Sequence, residues 1–464
     1  VTKKISFDFD TIIVGSGPAG STAAEILTAS GQRVAIIESA DTFGGECLNY
    51  GCIPTKSMLS VTNYLNGLKT KKTIDGLSLV KLKISKLVKL AEDSVGRAGV
   101  NNLGRLFSNL GIKTISGRAY LVNQNILDVN GSIYTAKNIV IATGGEPKIP
   151  NIPGLAESDY LTYKTFIAGV KLKAPKKVII IGGGAVGCEY AQILNACGIS
   201  VTILEAMPDV LSGQEPEASK LIHWALAESK IKVHTSIRIE SVTTNPSSKF
   251  KQVHFINKDG TRAKESADTL LVATGKALSL RDGLDNIPLE LEHGFIKTNS
   301  FCQTSAGNIY AIGDAAGPFR LTSTALQQAR VAANNILAKS KKDLLQADYD
   351  HVPSCVFTNP EVALIGTPTL SLNQQGIKYL AKTLDFSELT KSTVDPSVKG
   401  FLKIWIDPKK RLILGACMAG GPAAELISII SLAMQTHLSI DQLAKINTVF
   451  PTVSESTRIL AAEF

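Results

Sequence analysis

The sequence predicts an α/β fold with two Rossmann-like nucleotide-binding domains. Three observations carry this expectation. A glycine-rich turn stands between a short apolar strand and a helix near the N-terminus, and the same arrangement returns in the middle of the chain. The length of 464 residues is also too great for a single hydrophobic core and calls for two to four domains.

Residues Asp10 to Val14 read as a short buried strand. Gly15-Ser16-Gly17-Pro18-Ala19-Gly20 follows, then a helix to Ser30 and a strand from Arg33 to Ile37 that ends in Glu38. Glycines at this spacing permit a tight turn and let the backbone approach a pyrophosphate, which then sits on the positive end of a helix. Glu38 stands where a carboxylate can accept hydrogen bonds from a ribose. In the second copy, Val178 to Ile181 is the strand and Gly182-Gly183-Gly184-Ala185-Val186-Gly187 the turn. A helix then runs to about Cys197, and the strand Ser200 to Leu204 ends in Glu205. Gly182, Gly184, Gly187 and Glu205 each stand 167 residues after Gly15, Gly17, Gly20 and Glu38. One such turn is a weak signal, but two in strand–turn–helix context are a strong one and imply two dinucleotides. Glu205 puts negative charge where a 2′-phosphate would lie, and Ala206-Met207-Pro208 supplies no arginine, which favours NAD over NADP.

Further strand ends fit the same plan. Asn138 to Thr143 leads into Gly144-Gly145, Thr269 to Thr274 leads into Gly275, and Asn308 to Asp314 reads as a strand closed by an aspartate. Ahead of these lies Gly44-Gly45-Glu46-Cys47-Leu48-Asn49-Tyr50-Gly51-Cys52-Ile53-Pro54-Thr55-Lys56. Two cysteines with four residues between them, hemmed by glycines, are placed to open and close a disulfide. A thiol redox pair needs a lowered pKa, because the thiolate is the reactive form. A helix starting at Ile53 would favour a nearby thiolate through its dipole and through Lys56.

Composition narrows the class. With 44% apolar and 19% charged residues and no uninterrupted apolar run of membrane length, no membrane span is expected. Leu426 to Met434 is too short to span and reads as a buried helix. The first ten residues lack the apolar core of a secretory signal. Seven cysteines, five of them scattered (Cys188, Cys197, Cys302, Cys355, Cys417), fit a reducing, cytoplasmic setting in which a close pair is catalytic. The net charge of +9 is modest, and its most visible source, seven lysines from Lys69 to Lys89, reads as a solvated helix face. Neither a metal-type cysteine cluster nor a nucleic-acid motif is present in the sequence.

Taken together, these residues resemble the class I pyridine nucleotide–disulfide oxidoreductases, the family of dihydrolipoyl dehydrogenase, glutathione reductase and mercuric reductase. The resemblance covers nearly the whole chain. It rests on both glycine turns, the Cys47–Cys52 segment, Ile141-Ala142-Thr143-Gly144 with Pro147, Pro150, Pro153 and Gly154, Ala273-Thr274-Gly275, the Asp314 segment, and Phe450-Pro451-Thr452-Val453-Ser454-Glu455. It implies FAD at the first site, held by Gly15, Gly17, Pro18, Ala19, Gly20, Glu38 and Ser39, by Gly45, Glu46, Cys47, Cys52 and Lys56, and by Ala119, Thr143, Gly144, Asp314 and Ala325. It implies NAD at the second, held by Gly182, Gly184, Val186, Gly187, Glu189, Glu205 and Gly275. Cys52 would face the flavin, Cys47 would attack the substrate, and Lys56 and Glu189 would pair beside the flavin. The implied division is an FAD-binding domain over residues 1–152, an NAD-binding domain over 153–278, a central domain over 279–345 that completes the FAD site, and an α+β dimerisation domain over 346–464 of a homodimer.

The chain departs from the family pattern in three places. Phe450 stands in the slot of the acid–base histidine of the disulfide reductases, leaving Glu455 without its partner; such proton transfer is worth roughly 100- to 10,000-fold. His437 is read as a helix-end histidine. Glu46 replaces a frequent threonine, and Gly275-Lys276-Ala277 replaces the usual Gly-Arg. The expected activity is an NADH:disulfide oxidoreductase, dihydrolipoyl dehydrogenase-like, working through Cys47 and Cys52. Phe450 keeps open a mercuric reductase-like alternative with a metal ion, quinone or oxygen as acceptor, although the C-terminal cysteine pair of mercuric reductases is missing. A low-turnover flavin-bound redox sensor is an alternative of another class.

Overall fold

The computed structural model describes residues 6–70, 82–169, 175–279, 283–317 and 319–464. The chain divides into two units. One comprises Val1–Pro54, Ala91–Lys148 and Lys276–Tyr349, the other Thr55–Leu90, Ile149–Gly275 and Asp350–Phe464.

In the first unit, a seven-stranded sheet is built around the apolar, buried strands Phe9–Val14 and Val34–Glu38. Five strands run parallel in the order Lys113–Ser116, Val34–Glu38, Phe9–Val14, Ser132–Ile141 and Ile309–Ala311. Alternation along the strands divides the core in two: Ile12, Val14, Ile37 and Ile139 pack on one face, Ile13, Ile36 and Val140 on the other. The strand Ser132–Ile141 does double duty. Its second half pairs in parallel with Phe9–Val14, while its first half pairs antiparallel with Ile126–Val129. The sequence suggests a strand only from Asn138, because Ser132 and Ile133 lie exposed and carry no apolar run. Asp314 does not end a strand as expected. The strand stops at Ala311 and Asp314 sits in a single 3₁₀ turn, Gly313–Ala315.

The second unit holds two cores. A parallel sheet in the order Lys232–His234, Ser200–Leu204, Lys177–Ile181, Thr269–Val272 and an antiparallel sheet of Arg238–Thr244, Lys251–Ile256 and Arg262–Ala267 enclose Ile179, Leu204, Phe255 and Leu270. Further on, a five-stranded antiparallel sheet packs its Ile404 and Met418 with Ile427 of the helix Ala423–Gln435 and Leu460 of the helix Glu455–Ala462. This is the expected mixture of α/β nucleotide-binding folds and an α+β C-terminal region. The helix expected to be buried over Leu426–Met434 buries one face only: Ile427, Ile430 and Met434 point inward, whereas Leu432 is 61% exposed.

Part of the lysine-rich stretch, residues 71–81, lies outside the described residues. Beyond it, the helix Ile84–Arg97 buries Ile84, Leu87, Val88 and Ala91 and exposes Lys86 and Lys89, a solvated basic face. Among the described residues no helix is long and apolar enough to cross a membrane.

A buried carboxylate joins the two cores of the second unit. Glu215, fully buried, accepts hydrogen bonds from Thr369 N at 2.8 Å and Thr369 Oγ1 at 2.7 Å, and pairs with Lys403 Nζ at 2.9 Å. Lys403 also reaches Glu217, whose side chain is 49% exposed. Glu215→Gln should lower the stability of this unit by roughly 3 kcal/mol, since removing one partner of a buried pair strands the other. Glu217→Gln should cost under about 1 kcal/mol. Denaturant unfolding followed through the fluorescence of buried Trp405, on the same strand as Lys403, checks both.

Candidate active site

At the first glycine turn the backbone closes on itself more tightly than any side chain allows. Gly15 has φ +106°, and a Cβ on it would lie 2.3 Å from the Ala142 carbonyl oxygen; one on Gly20 would lie 1.9 Å from the Gly15 carbonyl oxygen. Gly17 caps the helix Pro18–Ala29, with Pro18 pre-set at its first position. Glu38 accepts hydrogen bonds from Ser16 N at 3.0 Å and Ser16 Oγ at 2.6 Å, and Ser16 Oγ accepts one from Gly44 N at 3.1 Å. The carboxylate expected to meet a ribose therefore also holds the turn together and ties it to the cysteine segment. Ser39 is exposed at the strand end, and Ala119 is buried in the core beneath the sheet. Ala19, Gly313 and Ala325 form a small-residue cradle: a Cβ on Gly313 would lie 3.2 Å from Ala19 Cβ and 3.7 Å from Ala325 Cβ. Thr143 Oγ1 is buried without a hydrogen-bond partner next to Gly144 at φ +70°, a polar atom available to a bound group.

Gly44 and Gly45, both at positive φ, lead into the short helix Gly45–Asn49, which carries Glu46 and Cys47. A Cβ on Gly45 would come within 2.6 Å of Gly17 Cα, so this helix starts against the glycine turn. Cys52 opens the helix Cys52–Thr70, one residue earlier than expected. Neither cysteine is in a disulfide in this structure, and the two thiols lie close enough to interact. Thr322 Oγ1, at the start of the helix Thr322–Leu337, lies 3.3 Å from Cys47 Sγ and 3.5 Å from Cys52 Sγ.

The lowered thiol pKa expected of the pair is not found at Cys47. Its hydrogen bond with Cys52 and its burial push the Cys47 thiol well above the ordinary cysteine value, and only Thr322 and the Cys52 backbone pull the other way. Two sulfurs close together oppose a second negative charge. The buried Cys188 and Cys417 are also held protonated, chiefly by burial.

In the second unit the glycine geometry repeats. Gly182 has φ +108°, with the Ala273 carbonyl oxygen 2.4 Å from where its Cβ would be; for Gly187 the corresponding distance to the Gly182 carbonyl oxygen is 2.0 Å. Gly184 caps the helix Ala185–Ala196, which carries Val186, and Gly275 has φ +98° with open space at its Cβ position. Glu205 is buried and accepts hydrogen bonds from Gly183 N and, at 2.7 Å, Met207 N. Lys56 and Glu189 meet as expected: Nζ donates to both carboxylate oxygens at 2.9 and 2.8 Å, and Glu189 also accepts from Phe357 N at 2.9 Å. The Lys56 ammonium stands 4.8 Å from the Phe357 ring centroid, a cation–π contact that fixes it further. At the C-terminus a cis Phe450–Pro451 peptide presents Phe450 67% exposed. Glu455 is buried and accepts a hydrogen bond from Thr452 N at 3.1 Å, so its carboxylate is engaged within its own turn. His437 follows the helix Ala423–Gln435, its ring 6.2 Å from that of His351.

Family models decide the relationship. The model described as pyridine nucleotide-disulphide oxidoreductase matches residues 9–329, and that of the family's dimerisation domain matches residues 352–461. The chain belongs to the pyridine nucleotide-disulphide oxidoreductase family. It is similar to dihydrolipoyl dehydrogenase of Mycoplasma pneumoniae, with 32% identity over 97% of this chain and 96% of the relative. It is similar to mercuric reductase of Staphylococcus aureus, with 28% identity over 98% of this chain and 82% of that protein. Among solved structures, the Cu(II) complex of the HOCl-induced flavoprotein disulfide reductase RclA from Escherichia coli superposes with a TM-score of 0.84, at 25% identity, covering 98% of this chain and 99% of that one. As a family member the chain is an FAD-dependent oxidoreductase that works with NAD(H). The family's dimerisation domain supports a homodimer. The residues present fit these groups: at both glycine turns the backbone is left bare of side chains, and beside the first the buried Thr143 hydroxyl has no hydrogen-bond partner among the described residues.

Sequence reasoning missed Thr322. In the sequence Thr322-Ser323-Thr324 reads as the polar start of a helix, and nothing local links it to cysteines 270 and 275 residues away. Thr322→Val should move the pH at which the reduced pair is alkylated upward by about half to one unit, since a hydroxyl that favours the thiolate is lost. Thr322→Ser should restore it. Iodoacetamide labelling of the reduced protein against pH checks both.

Proposed function

We propose that this flavoenzyme reduces a disulfide substrate of the dihydrolipoyl type through Cys47 and Cys52, or oxidises the dithiol in reverse. The observation that carries the reading is the thiol pair itself, two sulfurs in contact with each other and with one hydroxyl. FAD, when bound, supplies two-electron transfer between the nicotinamide and this pair. We assign its binding to the first glycine turn, Glu38, Thr143 and Asp314, and that of NAD to the second turn with Glu205. The four-part division at residues 152, 278 and 345, and a cytoplasmic location suggested by the scattered thiols, belong to the same reading.

The thiols act by exchange. Cys47, as thiolate, attacks one sulfur of the acceptor disulfide and releases the other as a thiol. Cys52 then displaces the second sulfur, closing the Cys47–Cys52 disulfide. The two protons of the dithiol leave with the two product thiols, so the step balances. Thr322 donates its hydroxyl proton to whichever sulfur is anionic, which favours a single thiolate over none. Glu189 and Phe357 hold the Lys56 ammonium in the paired role that the family resemblance implies.

Phe450 supports a second reading. A phenyl ring cannot carry a proton to a leaving thiolate, and Glu455 is occupied with Thr452 N. Transfer to a metal ion, quinone or oxygen needs no such relay. The Cu(II) complex known for the similar RclA supports including Cu(II) among candidate acceptors. Rates with lipoamide, Hg(II), Cu(II) and a quinone, under one set of conditions with NADH, separate the two readings. Disulfide turnover is expected to lead slowly and to rise about 10-fold or more in Phe450→His if the relay limits it. Lipoamide turnover far below that of a metal ion or quinone, with no gain in Phe450→His, would favour the second reading. Cys47→Ser and Cys52→Ser should each abolish disulfide turnover, and unchanged rates would exclude the pair from the chemistry.

A further inference from the structure

We propose that Lys276 is an FAD-positioning residue, whose ammonium balances Glu46 and Asp314 and so allows this chain to carry a glutamate beside the pyrophosphate turn. The inference rests on the reading of the first site as an FAD site. Lys276 Nζ is ion-paired with Glu46 Oε1 and, at 2.7 Å, with Asp314 Oδ2. The three side chains come from segments far apart in sequence: the short helix after Gly44, the strand Lys276–Leu278, and the 3₁₀ turn Gly313–Ala315. All three are largely sheltered, with exposures of 22, 19 and 18%. Burial works against the charge on Lys276, but Asp314 and Glu46 outweigh it and hold the group above the ordinary lysine value.

The position of this triad gives it its consequence. Gly45, immediately before Glu46, packs on Gly17 of the glycine turn, and Gly313, immediately before Asp314, packs on Ala19 at the start of the helix that the turn feeds. Both carboxylates are thus anchored one residue from the segment that receives a doubly charged diphosphate. Two carboxylates and a diphosphate repel one another unless a cation lies among them. Lys276 is built to be that cation. Its strand pairs with Gly145–Pro147, and its aliphatic stem packs where Gly145 has no side chain, a Cβ there meeting Lys276 Cβ and Cδ at 3.4 Å. The two departures from the family pattern at positions 46 and 276 meet in space, the glutamate paired with the cation that Lys276 keeps at its position.

The test measures FAD affinity by titrating stripped protein with FAD and following flavin fluorescence, and the flavin midpoint potential of each holoprotein. Lys276→Met should weaken FAD binding roughly 10- to 100-fold by leaving two carboxylates unbalanced. Adding Glu46→Gln to Lys276→Met restores the net charge of the triad and should recover most of that loss and the wild-type flavin potential, while Lys276→Met alone should lower the potential and Lys276→Arg, which keeps the cation, should match the wild type in both. Wild-type affinity in Lys276→Met overturns the proposal, as does failure of the double variant to recover. If Lys276→Met does not accumulate in folded form, the double variant decides: folded, FAD-loaded protein supports the proposal and its absence overturns it. A wild-type chain that takes up no FAD would overturn the flavoenzyme reading itself, and this inference with it.

Discussion

The site depends first on a steric constraint, a carbonyl oxygen standing where a side chain would begin. The Gly15 carbonyl lies 1.9 Å from the Cβ position of Gly20, and the Gly182 carbonyl 2.0 Å from that of Gly187. No residue with a side chain allows the strand to fold back onto its own helix this closely, and the conformational entropy that glycine loses there, about 0.5–1 kcal/mol per position, is offset by what the turn assembles. It brings Ser16 onto Glu38 and, through the Ser16 hydroxyl, fixes Gly44. Gly44 and Gly45 then start the helix that presents Cys47. A constraint on nucleotide binding thereby becomes a constraint on thiol position.

The chemistry that follows is one of charge held in close quarters. The sulfurs restrain each other's ionisation, and a shared hydroxyl relieves part of that cost. Lys56 is fixed by two oxygens and a ring rather than left to water. At the C-terminal motif, Phe450 offers no titratable group and the Glu455 carboxylate accepts a hydrogen bond from Thr452 N.

Much of this is legible in the sequence because the signals are local. Both strand–turn–helix repeats, their acids and the cysteine spacing lie within runs of about 25 residues, where spacing alone fixes geometry. The helix Cys52–Thr70 starts one residue before its expected start, and the strand Ser200–Leu204 has its expected bounds. What escapes is long-range. Thr322 meets sulfurs encoded 270 and 275 residues earlier, and the first half of Ser132–Ile141 has no continuous apolar run, its Ser132 and Ile133 lying exposed. Glu46 and Lys276 are visible separately as irregularities, and only the fold shows that they are paired. The raised Cys47 value escapes for a different reason: it depends on distances between sulfurs, not on residue identity.

Glu205 carries one more implication, for protein engineering. At the proposed NAD site its carboxylate opposes a 2′-phosphate, and it also accepts backbone hydrogen bonds from Gly183, within the glycine turn, and Met207, beyond the strand Ser200–Leu204. Specificity and scaffold are thus written into one side chain. A redesign toward NADP that simply installs a basic residue at this position would remove the keystone of the loop along with the discrimination. Retuning this enzyme's choice of reductant would have to leave an acceptor oxygen at position 205 and bring the new positive charge from elsewhere.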